Sequence, residues 1–430
     1  MIKKVIKKAI STVLAVTSAA GSVVWGTSCS SASFKPTAEI VNKDGASAVV
    51  TFVIDDGNIA TADFSKEMME YYEHLTFTYA IWTKDFATLE TTADGSEYVT
   101  VNGKYVYTQT EAQKDKQAYW SEILMNGRCE IVSHSHTHSF WGTNDDGGVF
   151  EYVKNNETKV STATMPAGSV TKELYASKQI IADLFPQSRF ANQKYVSFIS
   201  PGIGVRMTDF TTTAGQTIPT YVTYFNQLFN KAIQKNDYIG ARGTFQVTNT
   251  KDSASKVVLP DSLATKNSRL NIPAYMIVDG NKGNGVENWT AFIDHALAKG
   301  GWACYCIHNI LASPSGHYIY QDDAEALFAY TADKNIWVAT FTEALMYYAQ
   351  WSTATVNAEY RDGSIFVSVT DKENDDVFDQ PMTVKVSVPA SWTEVYCDGE
   401  SLEIHSDSNG GSYVYVTVVP DSGEVEVFQV

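Results

Sequence analysis

The sequence predicts an α/β fold in which a distorted (β/α) barrel of seven or eight strands precedes a small all-β sandwich. Between residues 47 and 351, apolar strand-like runs alternate about seven times with segments of helical periodicity, a pattern typical of parallel barrels. Polar residues directly follow several of these runs. After Trp351 helical periodicity ends and short alternating runs separated by turns begin, which favours an antiparallel sandwich.

The length and composition of the chain agree with more than one folded segment. A chain of 430 residues is too long for one compact core, and its 44% apolar and 19% charged residues are typical of an ordered globular protein. We expect an export signal at 1–29, a linker at 30–46, the barrel at 47–351 and the sandwich at 352–430.

The first 29 residues have a lysine-rich head, an apolar middle and a small-residue end, which is the layout of an export signal rather than of a first helix of the fold. Small residues precede Cys29, which favours a lipidated cysteine, although Gly26 departs from the larger aliphatic usual at its position. We therefore expect an exported protein of the cell envelope, periplasmic or at the cell surface, whose only membrane contact is a lipid anchor.

The charge of the chain restricts its partners. Without the four lysines of the signal, 28 basic residues stand against 49 acidic ones, a net charge of −21. Such a surface disfavours nucleic acid and anionic membranes as partners.

The elements of the barrel follow from apolar periodicity and from turn residues. Predicted strands are 48–54, 76–82, 129–133, 195–199, 271–278, 302–307 and 336–340, and predicted helices are 63–75, 111–125, 172–185, 221–235, 289–299, 322–334 and 341–351. Asn102-Gly103 lies inside the alternating run YVTVNGKYVY, which predicts a hairpin inserted between two barrel units.

Three predicted strands end in residues that can carry chemistry. The run TFVIDDG ends in Asp55 and Asp56, CEIVS is followed by SHSHTHS, and WACYCI is followed by His308. Because the carboxyl ends of parallel barrel strands meet at one edge, we expect these side chains to lie together. Each has an ordinary alternative: an acidic turn, a histidine-rich surface loop and an isolated structural histidine.

The spacing of His134 and His138 favours a metal site. Imidazoles at i and i+4 face one way on a turn of helix, as two ligands of one ion must, and His136 then points elsewhere. Two imidazoles and one carboxylate leave an open coordination position, which is typical of catalytic zinc.

Four cysteines follow Cys29. Cys304 and Cys306 lie on the same side of one strand, so they do not readily pair with each other. A zinc site of the C-x-C type lacks a second pair of suitable spacing, and we interpret these cysteines as small buried apolar side chains.

The motifs TFVIDDG, HSHTH and a strand ending in Ile-His, in this order, resemble the polysaccharide deacetylases with a NodB-homology domain, carbohydrate esterase family 4. The resemblance covers about residues 47–351 and leaves the sandwich unmatched. It implies a hydrolase that removes acetyl groups from an acetylated polysaccharide, at nitrogen or at oxygen.

The resemblance also implies roles for individual residues. Asp55 would be the catalytic base and His308 the catalytic acid. Asp56, His134 and His138 would bind a divalent metal, usually Zn2+ and sometimes Co2+ or Ni2+. The substrate side of the site would include Gly202, whose backbone N–H would stabilise the oxyanion, with Ile307 walling the acetyl pocket and Trp289 lining the groove.

One departure from the family pattern concerns the base. The family's third motif carries an arginine before its proline, whereas this chain reads Ile199-Ser200-Pro201. Asp55 would then lack its orienting cation, unless Arg206 or Arg242 reaches it, and would be harder to ionise.

The missing arginine leaves other functions open. One is a catalytically impaired glycan-binding surface lipoprotein on the same scaffold, whose glycan binding would survive Asp55→Ala. A third possibility is another metal hydrolase, such as a phosphoesterase, but the sequence lacks the extra carboxylates that a two-metal centre uses.

Overall fold

The computed structural model describes residues 34–95, 98–138, 151–154, 157–160, 170–186, 197–200, 210–211, 217–218, 232–243, 252–277, 285–312 and 318–430. The expected export signal, Cys29, Gly202 and Arg206 lie outside these residues. Pro36–Val430 form one compact unit. Within the described part of the chain, no helix has the length and apolar character needed to cross a membrane.

In the part of the chain that the structure describes, eight parallel strands form a nearly closed barrel. They are β1 (Ala48–Asp55), β2 (Phe77–Ile81), β3 (Cys129–Ser133), β4 (Phe198–Ile199), β5 (Ala241–Arg242), β6 (Ala274–Met276), β7 (Trp302–Ile307) and β8 (Ile336–Val338). Their order is β5-β4-β3-β2-β1-β7-β6, and β8 pairs with the start of β1. A parallel bridge between Arg242 and Ile272 joins β5 to the segment that leads into β6, which brings the two edges of the sheet together. The predicted distorted (β/α) barrel is confirmed.

Within the described residues, six helices with complete bounds accompany the strands: α1 (Ile59–Tyr71), α2 (Glu111–Leu124), α3 (Val170–Leu184), α4 (Val286–Lys299), α5 (Gln321–Ala332) and α6 (Phe341–Thr353). Alternate residues of β1, such as Phe52, point outward and pack with Phe77 and with Phe328 of α5. These side chains belong to one apolar core between the sheet and its helices. Every second residue of the strands and the apolar face of each helix therefore contribute to this one layer. Of the predicted helix 221–235, only residues 232–235 lie within the described chain, and they are helical.

The other residues of β1 and β7 face the barrel interior. The Trp302 indole donates to Thr51 Oγ1 at 3.1 Å. Phe341 and Tyr348 of α6 pack against the Trp302 ring at 5.5 and 5.8 Å between centroids. Since Trp302 begins β7, α6 fills the end of the barrel opposite the carboxyl ends of the strands.

Two antiparallel sheets form the sandwich. Its strands are β9 (Thr355–Arg361), β10 (Ser364–Thr370), β11 (Met382–Val388), β12 (Val395–Cys397), β13 (Glu400–Leu402), β14 (His405–Ser406), β15 (Ser412–Val418) and β16 (Glu424–Gln429). One sheet has the order β9-β10-β16-β12-β13 and the other contains β11-β15-β14. The predicted turns at Asp362-Gly363 and Asp398-Gly399 have both residues in the left-handed region, as tight hairpins require.

The expected linker at 30–46 is wrong in part. Ala38–Val41 form a strand that pairs antiparallel with β11 at the edge of the second sheet. Ile40 is buried there. Four residues are too few to show period-2 alternation in sequence, and their partner lies more than 300 positions away.

Five short strand pairs lie in the described segments between the barrel elements. The predicted hairpin at Asn102-Gly103 is confirmed, with φ of 54° and 77° at its two turn residues. The pairs are Thr88–Leu89 with Tyr107–Thr108, Thr100–Val101 with Lys104–Tyr105, Glu151–Lys154 with Glu157–Val160, Phe210–Thr211 with Thr217–Ile218, and Asn309–Leu311 with Tyr318–Tyr320.

A buried carboxyl group links the lower part of the barrel to α6. Glu130 of β3 is fully buried, and its Oε1 accepts from Thr78 Oγ1 at 2.7 Å and from the Thr342 backbone N–H at 3.0 Å. Burial raises the pKa of Glu130 from 4.5 to about 7, although these hydrogen bonds oppose the shift. Between pH 4.5 and about 7, Glu130 therefore keeps its proton in the folded protein and loses it in the unfolded chain.

This pKa shift predicts a pH-dependent stability. Glu130 costs no stability below pH 4.5, where both states are protonated, and its cost grows as pH rises to about 7, reaching on the order of 2–3 kcal/mol. Glu130→Gln should therefore gain stability over wild type as pH rises through this window. Urea unfolding at pH 4.5, 6 and 8 measures the difference, with the exposed Glu67→Gln as control. A difference that does not change with pH would contradict the expectation.

Candidate metal centre and active site

The turn after β1 points its two carboxylates in different directions. Asp55 is the last residue of β1 and faces the barrel interior, with 2% of its surface exposed. Asp56 and Gly57 both have left-handed backbones, with φ of 69° and 60°. A side chain at Gly57 would meet Ile81 Cγ2 at 3.2 Å as well as backbone strain. Asn58 then caps α1 by accepting from the Thr61 N–H at 3.1 Å.

The histidine motif is a loop and not a turn of helix, so the helical argument for pairing His134 with His138 is wrong, although the two imidazole rings do lie together, with centroids 4.7 Å apart. Left-handed residues at Ser135 and His138, with φ of 66° and 57°, bend the chain so that both imidazoles face one point. Ser135 Oγ accepts from the His138 N–H at 3.0 Å and fixes this bend. His136 turns away, and its Nδ1 contacts Thr83 Oγ1 at 2.9 Å.

Asp56, His134 and His138 form a group that can hold a metal ion. Asp56 Oδ1 lies 3.1 Å from His138 Nε2 and 3.5 Å from His134 Nε2. Atoms held about 2.0–2.2 Å from a tetrahedral zinc ion lie roughly 3.3–3.6 Å apart, so the donor set fits one ion. Within the described residues, Asp56 Oδ1 and His134 Nε2 are buried without a hydrogen-bond partner.

The tautomer of His134 suits a ligand. Its Nδ1 lies 2.8 Å from the Ile199 carbonyl oxygen, which can only accept, so Nδ1 carries the proton. The lone pair of Nε2 then faces Asp56. Trp82, at the end of β2, supports the other side: its indole donates to the Asp56 carbonyl at 3.0 Å, and its ring centroid lies 5.2 Å from that of His138.

Asp55 is paired with a cation, because the side chain of Arg242 at the end of β5 extends across the barrel to its carboxylate. Its two guanidinium nitrogens donate to the two carboxylate oxygens at 2.7 and 2.6 Å. Both side chains are almost fully buried. A residue of β5 thus supplies the cation that the segment Ile199-Ser200-Pro201 lacks.

This ion pair reverses the expectation that Asp55 is hard to ionise. Burial by itself raises the pKa of Asp55, but the positive charge of Arg242 and the arginine hydrogen bonds lower it below its ordinary value. The pKa of Asp56 is likewise lowered, since contacts with His134 and His138 outweigh burial. Both carboxylates are therefore ionised at neutral pH.

His308 and Cys306 complete the surroundings of Asp55. His308 Nε2 lies 4.0 Å from Asp55 Oδ2, so the predicted acid and base share one site. Burial lowers the pKa of His308, although the nearby carboxylates oppose this. The Cys306 thiol donates to Asp55 Oδ2 at 3.5 Å. Asp55, Cys306 and His308 are close enough to form a second metal group, but both Asp55 oxygens already bind a guanidinium, which disfavours another cation there.

Two of the expected substrate contacts are not supported. Trp289 lies on α4 with 0% exposure, inside the outer apolar core. Ile307 is 1% exposed and belongs to the same core, because it alternates with the inward-facing Cys306 and His308. Gly202 lies outside the described residues.

The cysteine interpretation is confirmed. Cys129, Cys304, Cys306 and Cys397 are all free and buried. Burial raises the pKa of the Cys304 thiol to about 12, so it stays protonated.

The sequence did not predict three contacts of the site. They are the contact of Trp82 with Asp56, the contact of Cys306 with Asp55, and the pairing of Asp55 with Arg242 in particular. Trp82 and Cys306 lie at strand ends beside the motifs, and that position is a usable signal. Arg242 lies in a strand of two residues within a stretch that shows no clear period, and nothing local indicates its contact.

The geometry predicts that each chain binds one divalent metal ion, for which Zn2+ serves as the probe. Asp56→Ala and His138→Ala should each weaken zinc affinity by more than about 100-fold, since losing a ligand exceeds the usual effect of losing a supporting residue. Titration of the metal-free protein against a chromophoric chelator measures this affinity. His136→Gln is the control, and a loss of zinc affinity in this variant as large as in His138→Ala would contradict the ligand set.

No known family model matches the sequence. A gellan lyase from a Bacillus species is 29% identical over 212 residues, which cover 44% of this chain and 8% of that protein. The chain thus matches a small part of this relative's length.

Several solved structures are similar at low identity. A mutant of a CE4 family pseudoenzyme with restored enzymatic activity has a TM-score of 0.31 at 11% identity, covering 69% of this chain and 67% of its own. A de-N-acetylase from Aggregatibacter actinomycetemcomitans has a TM-score of 0.25 at 14% identity, covering 46% and 64%. A glycoside hydrolase has a TM-score of 0.34 at 10% identity, covering 88% and 92%. Because these similarities are low, the geometry of the site carries the argument about function.

Proposed function

We propose that this protein is a metal-dependent deacetylase that hydrolyses acetyl groups on a polysaccharide, with the site of carbohydrate esterase family 4. One observation carries the proposal: three donor atoms suited to a single ion lie beside an arginine-paired carboxylate and a histidine. This set combines a Lewis-acid site with a base and an acid, which is what hydrolysis of an amide or ester requires.

Asp56, His134 and His138 would hold the ion. A bound Zn2+ or another divalent ion polarises the acetyl carbonyl and lowers the pKa of a water molecule from about 15.7 toward 7. Asp55, ionised and fixed by Arg242, accepts a proton from the attacking water. His308 delivers a proton to the leaving nitrogen or oxygen of the sugar. Its Nε2 lies 4.0 Å from Asp55 Oδ2, so the proton that Asp55 takes from the attacking water would reach His308 through one bridging water molecule. Water is consumed, the acetyl C–N or C–O bond breaks, and acetate and the free sugar group leave.

Arg242 bears on the choice between an enzyme and a glycan-binding relative. The binding alternative depends on a base that lacks a cation, whereas Asp55 has a bidentate pair with Arg242. A protein that only binds glycans has no need for a buried, oriented carboxylate next to a metal site.

The substrate is proposed by class only. The acetyl group is on nitrogen or on oxygen of the sugar, and the site chemistry is the same for both. The matched relative is named a gellan lyase, which agrees with a carbohydrate substrate. Export and a lipid anchor at Cys29, in a cell-envelope location, remain part of the proposal.

Acetate release from a panel of N- and O-acetylated glycans tests this function. Wild type should release acetate, chelation should abolish the release, and Zn2+ should restore it. Asp55→Asn should lower kcat at least about 100-fold, because it removes proton transfer while keeping shape. Activity that persists in the presence of chelator would refute the metal mechanism, and glycan binding without acetate release from any substrate would favour the binding protein.

Replacing the orienting arginine should separate charge from geometry. Arg242→Lys keeps a cation but loses the two parallel hydrogen bonds, so kcat should fall about 10–100-fold with little change in KM. The control is Arg269→Lys, which alters a comparable bidentate pair with Glu373 at 2.7 and 2.8 Å, away from the site. Equal kinetic effects of the two substitutions would contradict a specific role for Arg242.

A further inference from the structure

The loop that carries His134 and His138 rests on helix α3. Glu173 of α3 is 3% exposed, and its Oε2 accepts from the Thr137 N–H at 3.0 Å and from Thr137 Oγ1 at 3.1 Å. Its carboxylate also receives the His136 backbone N–H. One buried carboxylate therefore binds two consecutive residues between the metal-site histidines.

A second contact fixes the same face of α3. Ser177 lies one helical turn after Glu173, and its hydroxyl is 2.8 Å from that of Ser133, the residue before His134. Ser133 Oγ in turn accepts from the Ser135 N–H at 3.3 Å. The helix thus contacts both ends of the bend that orients the imidazoles.

The inserted hairpin segment joins this arrangement. The Tyr98 hydroxyl donates to Glu173 Oε1 at 2.6 Å, and its ring lies edge-on to His136 at 6.1 Å. The backbone N–H of Tyr105 in the insertion donates to the side-chain Oε1 of Gln179 on α3 at 2.8 Å, and Gln179 Nε2 donates to the Tyr105 carbonyl at 3.0 Å. Both oxygens of Glu173 are therefore occupied, one by the metal loop and one by the insertion.

We infer that Glu173 is a positioning residue for the metal centre and that the insertion is its support through Tyr98. The inference rests on the proposed function only in that Asp56, His134 and His138 bind a metal. Glu173 does not touch the ion's donor atoms. It holds the backbone of the loop, so that the two imidazoles are preorganised before the metal arrives.

The chemistry of the contacts separates positioning from charge. In Glu173→Gln the amide oxygen can keep accepting from Thr137, while the amide nitrogen donates to the Tyr98 oxygen, which can accept. The hydrogen bonds survive and the charge is lost. In Glu173→Ala the Thr137 and His136 donors lose their partner inside the protein.

Zn2+ affinity of the metal-free protein, measured with a competing chromophoric chelator, tests the inference. Glu173→Ala should weaken affinity about 10–100-fold, Tyr98→Phe less, and Glu173→Gln should stay within about threefold of wild type. Recovery by the glutamine variant is the signature of positioning. The matched control is Glu373→Ala, which breaks a buried pair elsewhere and should destabilise the fold without changing zinc affinity.

Three results would overturn the inference. The first is a folded Glu173→Ala that binds Zn2+ as wild type does. The second is an equal loss in Glu373→Ala, which would indicate general destabilisation, and the third is a Glu173→Gln as weak as the alanine variant, which would indicate charge. Should Glu173→Ala fail to fold, Tyr98→Phe decides, because wild-type affinity in that variant refutes the support. Wild type that binds no Zn2+ would refute the metal centre and the proposed function as well.

Discussion

The buried pair between Asp55 and Arg242 is the interaction on which the site depends. The two residues are 187 positions apart and come from strands on opposite sides of the barrel, so their contact exists only when the sheet is nearly closed. Desolvating two charges is costly, and the two parallel hydrogen bonds with good geometry offset that cost. Removing either partner would leave a charge buried without compensation, so the geometry of the candidate site and the stability of the barrel depend on the same pair.

The division of labour between two adjacent carboxylates follows from backbone conformation. Asp55 completes a strand and points inward by the alternation of the sheet, whereas Asp56 adopts a left-handed backbone and turns toward the histidines. A continued strand would place the two side chains on opposite faces of the sheet, and a metal ligand beside a base would be impossible. Gly57 makes the turn tight enough for α1 to begin one residue after Asn58.

The sequence predicts most of the barrel because its strongest strands are long apolar runs bounded by turn residues. Cys129–Ser133 and Trp302–Ile307 match the predicted bounds to the residue. Prediction fails where the deciding partner is distant: Arg242 sits in a two-residue strand, and Ala38–Val41 pairs with the sandwich. The side of the strand on which Ile307 lies was predictable, because His308 and Cys306 face inward and a residue between them must face out. Trp289 was expected in the groove because aromatic side chains stack on sugar rings. Its helix, however, has the periodicity of a helix that packs on the core, and Trp289 lies on the buried face.

The motifs identify the groups proposed to react, while residues outside the motifs determine how those groups are oriented. Arg242 and Cys306 hold Asp55, Trp82 contacts Asp56 and His138, and Glu173 holds the loop between the histidines. A chain could keep every motif residue and lose these contacts, and it would then retain metal ligands without a poised base. Under the proposed function, an enzyme differs from a binding protein on this scaffold in the buried polar contacts that the barrel interior and α3 supply. In this chain the contacts to Asp55 and to the loop of His134 and His138 are present together.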